Sequence, residues 1–321
     1  MKHHKIDLNL LIALDALLRT ASVTRAAAEV HVSQPSMSGS LARLREHFAD
    51  PLLVRSGRTF KHSPLAQKMQ DAVRQAMQHI DRTLSMRPTF DPAADSRQFT
   101  LSGSDFTVVA FGSPLVRRLS KIAPTSTVSW LPGSPTELGV KLQSNDLDLS
   151  FVAEPFLDDR FAQRLVLEDD FACISWLENA QTKNGLTKDA FNTLGHVGIQ
   201  YGVSGTPGAS HLSSRQLGAC HRIETTCTSP IVVGSMVVGT QRIATVARSL
   251  ALQMAASLPL RVHEHPLQMA PLRIFMQWNQ DRDGDGAMDW LRSIASEVAS
   301  ELAVHRKASH DRSLVGLGYA T

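Results

Sequence analysis

The sequence predicts two architectures in one chain: a winged helix-turn-helix at the N-terminus, all-α apart from a β-hairpin wing, followed by a longer α/β region. Three observations predict this. Hydroxyl caps and a first-turn proline punctuate short helices in the first 62 residues, which end on a basic hairpin signal. Strands and helices alternate from Gln98 onward. Charge divides at nearly the same place: residues 1–90 carry 13 Lys and Arg against 7 Asp and Glu, and the remainder carries 20 against 23. A basic front of this kind points to an anionic polymer as partner, because phosphate neutralisation dominates nucleic-acid affinity. The 321 residues are 43% hydrophobic and 20% charged, which excludes wholesale disorder and fibrous repeats and leaves enough apolar surface for two or three packed units.

The first helix follows from Leu8, Leu11, Ile12, Leu14, Leu17 and Leu18, which recur at helical spacing. Ser22 caps a short second helix over about 23–30, where Ala26 and Ala27 are small enough for close packing. A turn at His31 and Val32 leads to Ser33, the N-cap of a third helix, with Pro35 in the first turn, where its missing N–H costs nothing. This helix runs to about Phe48. At 100° per residue Met37, Leu41, Leu44 and Phe48 fall within about 40° of one another and form its buried stripe. The opposite face presents Pro35, Ser38, Gly39, Ala42 and Arg43, with Gln34 at the tip. Small residues permit approach to a major groove, and Gln reads adenine there.

On this helix alone, groove reading and plain solvation weigh equally; the next segment decides. Leu52-Leu53-Val54-Arg55 and Thr59-Phe60-Lys61 flank Ser56-Gly57-Arg58, a hairpin signal. A basic hairpin after a helix-turn-helix is a wing, whose arginines lie on phosphates or reach into a narrow minor groove. The expected DNA-contacting set is Ser33, Gln34, Pro35, Ser36, Ser38, Arg43, Arg55 and Arg58.

The runs D-L-N-L-L (Asp7 to Leu11), S-V-T-R-A-A (Ser22 to Ala27), S-Q-P-S-M-S (Ser33 to Ser38), L-A-R-L-R (Leu41 to Arg45) and D-P-L-L-V-R (Asp50 to Arg55) resemble the N-terminal domain of LysR-type transcriptional regulators. The resemblance is strongest to the branch of nodulation and aromatic-catabolism activators, and it extends more loosely over nearly the whole chain. Gly39 departs from the pattern at a recognition-helix position where many relatives carry a longer polar side chain, and a mid-helix Gly costs about 1 kcal/mol relative to Ala. The polar, Gly-containing stretch after about Val304 has no counterpart in the family and reads as a loose tail over 305–321.

Ser63-Pro64 repeats the cap-then-proline start, and Leu65, Met69, Val73, Ala76, Ile80 and Leu84 follow at spacings of 3 or 4. That pattern fits a two-stranded seam of about three heptads, or a helix packed on its own domain. The resemblance favours the seam, since regulators of this family pair through this helix. Arg87-Pro88 ends it and Phe90-Asp91-Pro92 forms a hinge. The expected organisation is therefore a DNA-binding domain over 1–62, a linker helix and hinge over 63–90, a regulatory domain over 91–304 and the tail.

In the regulatory domain, strands are expected at 98–102, 127–131, 147–152, 171–176, 196–200 and 222–226, with helices between, which implies largely parallel sheets. The resemblance implies two Rossmann-like subdomains joined by two crossovers, as in periplasmic binding proteins. These are expected near 165–169 and 265–271, with 271–278 returning as a strand and 288–302 as a closing helix. Ser113-Pro114, Ser134-Pro135 and Ser229-Pro230 each place a hydroxyl before a proline, and Ser134 with Glu137 reads as a capping box. Helix N-termini present free N–H groups to anions at the carboxyl ends of strands. A small organic acid, possibly aromatic if Phe111 offers a ring face, is the expected effector. Its candidate contacts are Ser102, Ser104, Phe111, Ser134, Asp170, His196, Thr206 and Thr228.

Other chemistries fail on their residues. Asp281-Arg282-Asp283-Gly284-Asp285-Gly286 imitates a calcium loop, but Arg292 stands at the twelfth position, where a bidentate Glu is needed. Gly202, Gly205 and Gly208 have no Lys after them to hold a phosphate, and His263-Glu264-His265 lacks a third ligand. With no nucleophile elbow either, neither enzyme activity nor a metal or cofactor is expected. Cys173, Cys220 and Cys227 form no C-x-x-C pair, which suits a reducing cytoplasm. Asp7, Asn9 and Asp15 interrupt the apolar stretch after Lys2 and Lys5, so no secretory leader is expected, and no apolar run is long enough for a membrane span. A solute-binding protein of the periplasmic type would explain only the second half. The expected partners are a partly palindromic duplex, the effector, a second or further copies of the chain as a homodimer or homotetramer, and RNA polymerase.

Overall fold

The computed structural model describes residues 7–56, 59–85, 89–202, 205–219 and 222–315, and the chain divides into two compact units between Met86 and Arg87. The first unit contains α1 (Leu8–Thr20), α2 (Val23–Glu29), α3 (Gln34–Phe48), the hairpin strands β1 (Leu53–Ser56) and β2 (Thr59–His62), and α4 (Pro64–Ser85). Two of its helices start where the caps predict, the side chains of Ser22 and Ser33 accepting the N–H groups of Arg25 and Ser36, and α1 is capped by Asp7, which the sequence reading passed over and which accepts the Asn9 N–H. Leu14, Leu17, Ala26, Met37, Leu41 and Leu44 meet in one core.

Helix α4 corrects the seam. Ala66 and Val73 are buried in the core of their own unit and Met69 packs on it, while the Gln70 amide donates to the Leu18 carbonyl at 3.1 Å. Only the later turns point away from that core: Ala76 and Ile80 are half-buried and Leu84 is 69% exposed. A spacing of 3 or 4 residues cannot tell an internal packing face from a partner's seam, which is why sequence merged the two. Arg87-Pro88 lies outside the described residues. Phe90, read as a hinge, instead packs in the second unit, its ring centroid 5.1 Å from Trp290 and 6.3 Å from Phe99.

In chain order the second unit comprises β3 (Gln98–Gly103), α5 (Asp105–Thr107), a π turn over Val108–Gly112, α6 (Ser113–Ile122), β4 (Thr127–Leu131), α7 (Pro135–Gln143), β5 (Leu149–Ala153) and β6 (Ala162–Asp169). Next come β7 (Phe171–Trp176), α8 (Lys188–Thr193), β8 (Gly195–Tyr201), β9 (Thr206–Pro207), α9 (Ala209–Gln216), β10 (Arg222–Cys227), α10 (Val233–Val237), β11 (Ile243–Ala247), α11 (Arg248–Ala255), β12 (Leu260–Glu264), β13 (Leu272–Trp278) and α12 (Gly286–Val315). They form two lobes around sheets ordered β4-β3-β5-β13-β6 and β10-β8-β11-β7-β12, with β9 beside β8.

The sheets are mixed rather than largely parallel. In each, three adjacent strands pair in parallel, and one reversed strand, β13 in one sheet and β7 in the other, pairs antiparallel on both sides, with that block and with the edge strand, β6 or β12. Residues 165–169, expected as a crossover, are strand: Leu167 pairs with Ile274 and Asp169 with Leu272. The chain changes sheet at Asp170 and again over 265–271. Backbone of the stretch read as a loose tail is helical as far as Val315, within α12.

Two of the three Ser-Pro starts are not caps. Ser113 lies inside a continuous helical run and donates to the Val108 carbonyl at 3.1 Å, the true N-cap being Ser104. Ser229 precedes a 3₁₀ turn and makes no side-chain cap bond. Ser134 does form the capping box with Glu137. The mimic of a calcium loop is spent internally: Asp285 pairs with Arg97 and Arg282, each at 2.9 Å, and Arg282 also pairs with Asp148, all four being buried.

Candidate nucleic-acid interface and ligand cavity

In the first unit the face of α3 opposite its buried stripe is open. Ser33, Gln34, Pro35, Ser36, Ser38 and Arg43 are all exposed, and a Cβ added at Gly39 would meet nothing within 4 Å. The Gly therefore leaves the face flat rather than accommodating a neighbour. Ser33 and Ser36 also serve the cap, their hydroxyl oxygens 2.8 Å apart. On the wing Arg55 is exposed and stands opposite Phe60 in the ladder; Arg58 lies outside the described residues. Sequence reasoning missed Arg45, the last residue of the L-A-R-L-R run, which donates to the Pro51 carbonyl at 2.8 Å and the Leu53 carbonyl at 3.0 Å. It ties the recognition helix to the base of the wing, so the two basic elements are held as one surface.

In the second unit a cavity with a free volume of about 80 Å³ lies between the lobes, several times the roughly 10–15 Å³ that a water needs. Its walls are mostly apolar: Phe106, Leu138, Phe151, Phe156, Phe171 and Ile199 are among the lining residues. Polar groups are few: the hydroxyls of Ser104, Thr107, Tyr201, Ser210 and Thr245. Among the described residues no Lys, Arg or His lines it. Electropositive character must come from backbone, and several helix starts do converge on it: Ser104 at α5, Pro135 at α7, Ala209 and Ser210 at α9, and Ala247 at α11.

Of the eight expected effector contacts, Ser104 alone lines this cavity. Ser102 is fully buried and donates to the Leu131 carbonyl at 2.7 Å, bracing β3 against β4. Phe111 is equally buried, its ring packed 5.1 Å from that of Phe151, and it offers no face to a ligand. Ser134 is occupied by its capping box, one residue from the wall. Asp170 is the exposed crossover residue whose carbonyl accepts the Arg248 N–H at 2.7 Å. His196 is a core histidine 2.7 Å from the Phe191 carbonyl, which only accepts, so Nε2 carries the proton; burial holds its pKa below the usual histidine range. Thr206 and Thr228 lie off the cavity wall. The missed lining residues carried no signal of their own, because they are apolar core types that the sheets bring together from sequence-distant segments. Thr107, Tyr201, Ser210 and Thr245 are the polar exceptions; the Tyr201 pKa is pushed up to about 12 by burial, with the Asp105 charge adding to the effect.

A winged helix-turn-helix followed in one chain by a two-lobed α/β unit with a cavity between the lobes is the architecture of a transcriptional regulator with an effector-binding type of domain. Residues 8–67 match the bacterial regulatory helix-turn-helix proteins of the lysR family. Over 305 residues the sequence is 32% identical to nodulation protein D of Bradyrhizobium sp. (strain ANU 289), covering 94% of this chain and 89% of that protein. The chain belongs to the LysR family of transcriptional regulators. Its fold is shared by a probable transcriptional regulator, PA0477, from Pseudomonas aeruginosa, at a TM-score of 0.73 and 21% identity over 91% of this chain and 97% of that one. The LysR family regulator CbnR also shares it, at 0.59 and 14% over 92% and 99%. Among the described residues no helix is long and apolar enough to cross a membrane, and no group of three or more His, Cys, Asp or Glu side chains is placed to hold a metal.

Proposed function

We propose that this regulator binds a partly palindromic duplex as a dimer paired through the outward turns of α4, and that a small organic acid held between the lobes sets its output. Ser33, Gln34, Pro35, Ser36, Ser38 and Arg43 of α3 enter the major groove, and Arg55 and Arg58 of the wing lie on the backbone or in the minor groove. Two such helices address half-sites about 34 Å apart, one helical turn. CbnR, of the same fold, has been solved in complex with its target DNA, which supports the reading. Assembly into a tetramer and contact with RNA polymerase belong to the same proposal.

The observation that carries the effector reading is the composition of the cavity: apolar walls with hydroxyls and helix starts and, among the described residues, no cationic side chain. Apolar walls suit a ring, and N–H and O–H donors suit one carboxylate, through charge-assisted bonds about twice as strong as neutral ones. Thermal-shift titration with benzoate and with benzamide tests it, since native-state binding raises stability by RT ln(1 + [L]/Kd). Stabilisation by the acid and less by the amide is the expected result. An amine or a neutral sugar that stabilises where no acid does would overturn it.

A further inference from the structure

The wing is a hairpin of two four-residue strands that pair only with each other among the described residues. Two strands alone are marginally stable in water, so where such a hairpin points is decided at its base. Ala49, which ends α3, and Leu52 both hold the left-handed region there, at φ 49° and 54°, a conformation that residues with a Cβ keep only when their surroundings impose it. Leu52 is held partly by burial in the core of the unit. One carboxylate oxygen supplies a second constraint: Asp50 Oδ1 accepts the Leu52 N–H at 2.7 Å and the Ser63 hydroxyl at 2.5 Å. Ser63 is buried between β2 and α4. Its N–H donates to the Leu52 carbonyl at 2.9 Å, one residue beyond the Leu53–His62 pair of the ladder, and its Oγ accepts the Ala66 N–H in the first turn of α4 at 3.0 Å.

We propose that Asp50 is the positioning residue of the wing: its carboxylate fixes the base of the hairpin to the first turn of the linker helix, and so sets where Arg55 stands relative to the recognition helix. This rests on the reading of Arg55 as a contact to the DNA backbone. Two anchors divide the work. Arg45 ties the turn to α3 through the Pro51 and Leu53 carbonyls, and Asp50 ties the same turn to α4 through Ser63. Both bonds to Asp50 have a carboxylate as acceptor, which makes them stronger than neutral ones. Without them the hairpin pivots about Arg45. Arg55 lies two residues out from Leu53, roughly 7 Å along the strand, so a pivot at the base carries it away from a phosphate that it must approach to about 3 Å. The recognition helix keeps its own core contacts through Met37, Leu41 and Leu44, so the loss falls on the wing and not on base reading.

Salt titration of DNA binding by the full-length protein tests this, with a duplex that the protein selects from random sequence as the probe. Asp50→Ala and Ser63→Gly should each make the dependence of log Kd on log salt shallower by about one, the worth of one phosphate contact, with discrimination at the base pair read by Gln34 unchanged. Ser63→Gly keeps a serviceable N-cap, so its effect reports the lost bond to Asp50. Asp50→Asn keeps an oxygen that accepts both bonds and should restore the slope. Arg55→Ala should lower the slope in the wild type and add nothing in the Asp50→Ala background. Where Arg55→Ala does lower it, a wild-type slope in Asp50→Ala or Ser63→Gly, no rescue by Asp50→Asn, or an equal further loss in the double variant would overturn the proposal. If circular dichroism shows Asp50→Ala unfolded, Ser63→Gly with and without Arg55→Ala carries the same comparison. An unchanged slope in Arg55→Ala itself would count against the wing reading and not against Asp50. Hydrogen exchange at 53–56 and 59–62 in the DNA-free protein then decides: faster exchange in Ser63→Gly than in the wild type supports the anchor, and equal exchange overturns it.

Discussion

Gly112 closes the π turn under the indole of Trp130, where an added Cβ would come within 2.6 Å of the ring. Gly112→Ala must displace the indole or unwind the turn, and overpacking of this kind costs about 1–3 kcal/mol; urea unfolding of the second unit should show a lower midpoint. Gly39 is the opposite case, since nothing lies near it, and Gly39→Ala should stabilise α3 by up to about 1 kcal/mol. On the DNA face, Gln34→Ala should cost roughly 1–3 kcal/mol of discrimination at one base pair, whereas Arg55→Ala should weaken all sequences alike and flatten the salt dependence. Anisotropy titrations against a matched and a mismatched duplex at two salt concentrations separate the two. At this scale the caps at Ser22, Ser33 and Ser134 were legible, because a cap is local chemistry written in three or four consecutive residues, whereas Ser113 and Ser229 share the Ser-Pro pair without the helix start. The ligand contacts were not, because Ser102, Phe111 and His196 carry the residue types of a site and the burial of a core.

Helix α4 has two halves with different duties. Val73 lies in the core of the first unit, so Val73→Asp should unfold that unit by burying an unpaired carboxylate. Ile80 is only half-buried and lies on the turns assigned here to the dimer contact. Ile80→Asp should leave the circular dichroism of the helices unchanged while shifting the sedimenting species from dimer to monomer and lowering DNA affinity. An unchanged oligomer with unchanged affinity would remove α4 from the dimer contact. Periodicity revealed that this helix exists and where its apolar stripe runs, but it holds no information about which molecule covers the stripe. The same limit explains β6: residues 165–169 read as a crossover because an edge strand paired on one side looks polar, and only its ladder with β13 makes it a strand.

Across the second unit, stability should depend on pH in two steps. Burial keeps His196, His263 and His265 below the usual histidine range, so the native state holds them neutral and the unfolded state takes up their protons first. Their contribution is complete above about pH 6.5 and declines as pH falls through it. Asp285 follows at lower pH: burial opposes its ionisation, but Arg282 and Arg97 outweigh this and hold its pKa below the ordinary carboxylate value. What it adds is present above about pH 4 and is lost below. Replacing it in Asp285→Asn removes the carboxylate that two buried guanidinium groups share and should cost about 3–5 kcal/mol, seen as a large drop in Tm at neutral pH that narrows in acid. The two-lobed plan itself was legible from the alternation of strands and helices, together with the family resemblance. The mixed sheets were not, since strand direction after a crossover is decided by which edge the returning chain reaches.

The claim that joins the two units is that a molecule in the cavity alters specific binding by the winged helix. Footprinting of the full-length protein on genomic fragments that it selects, with and without benzoate and in wild type and Tyr201→Phe, tests this most directly. The predicted result is a protected, partly palindromic site in the wild type whose extent or affinity changes with the acid, and a weaker change in the variant. No preference over random DNA, or a footprint indifferent to every acid that binds the cavity, would contradict it.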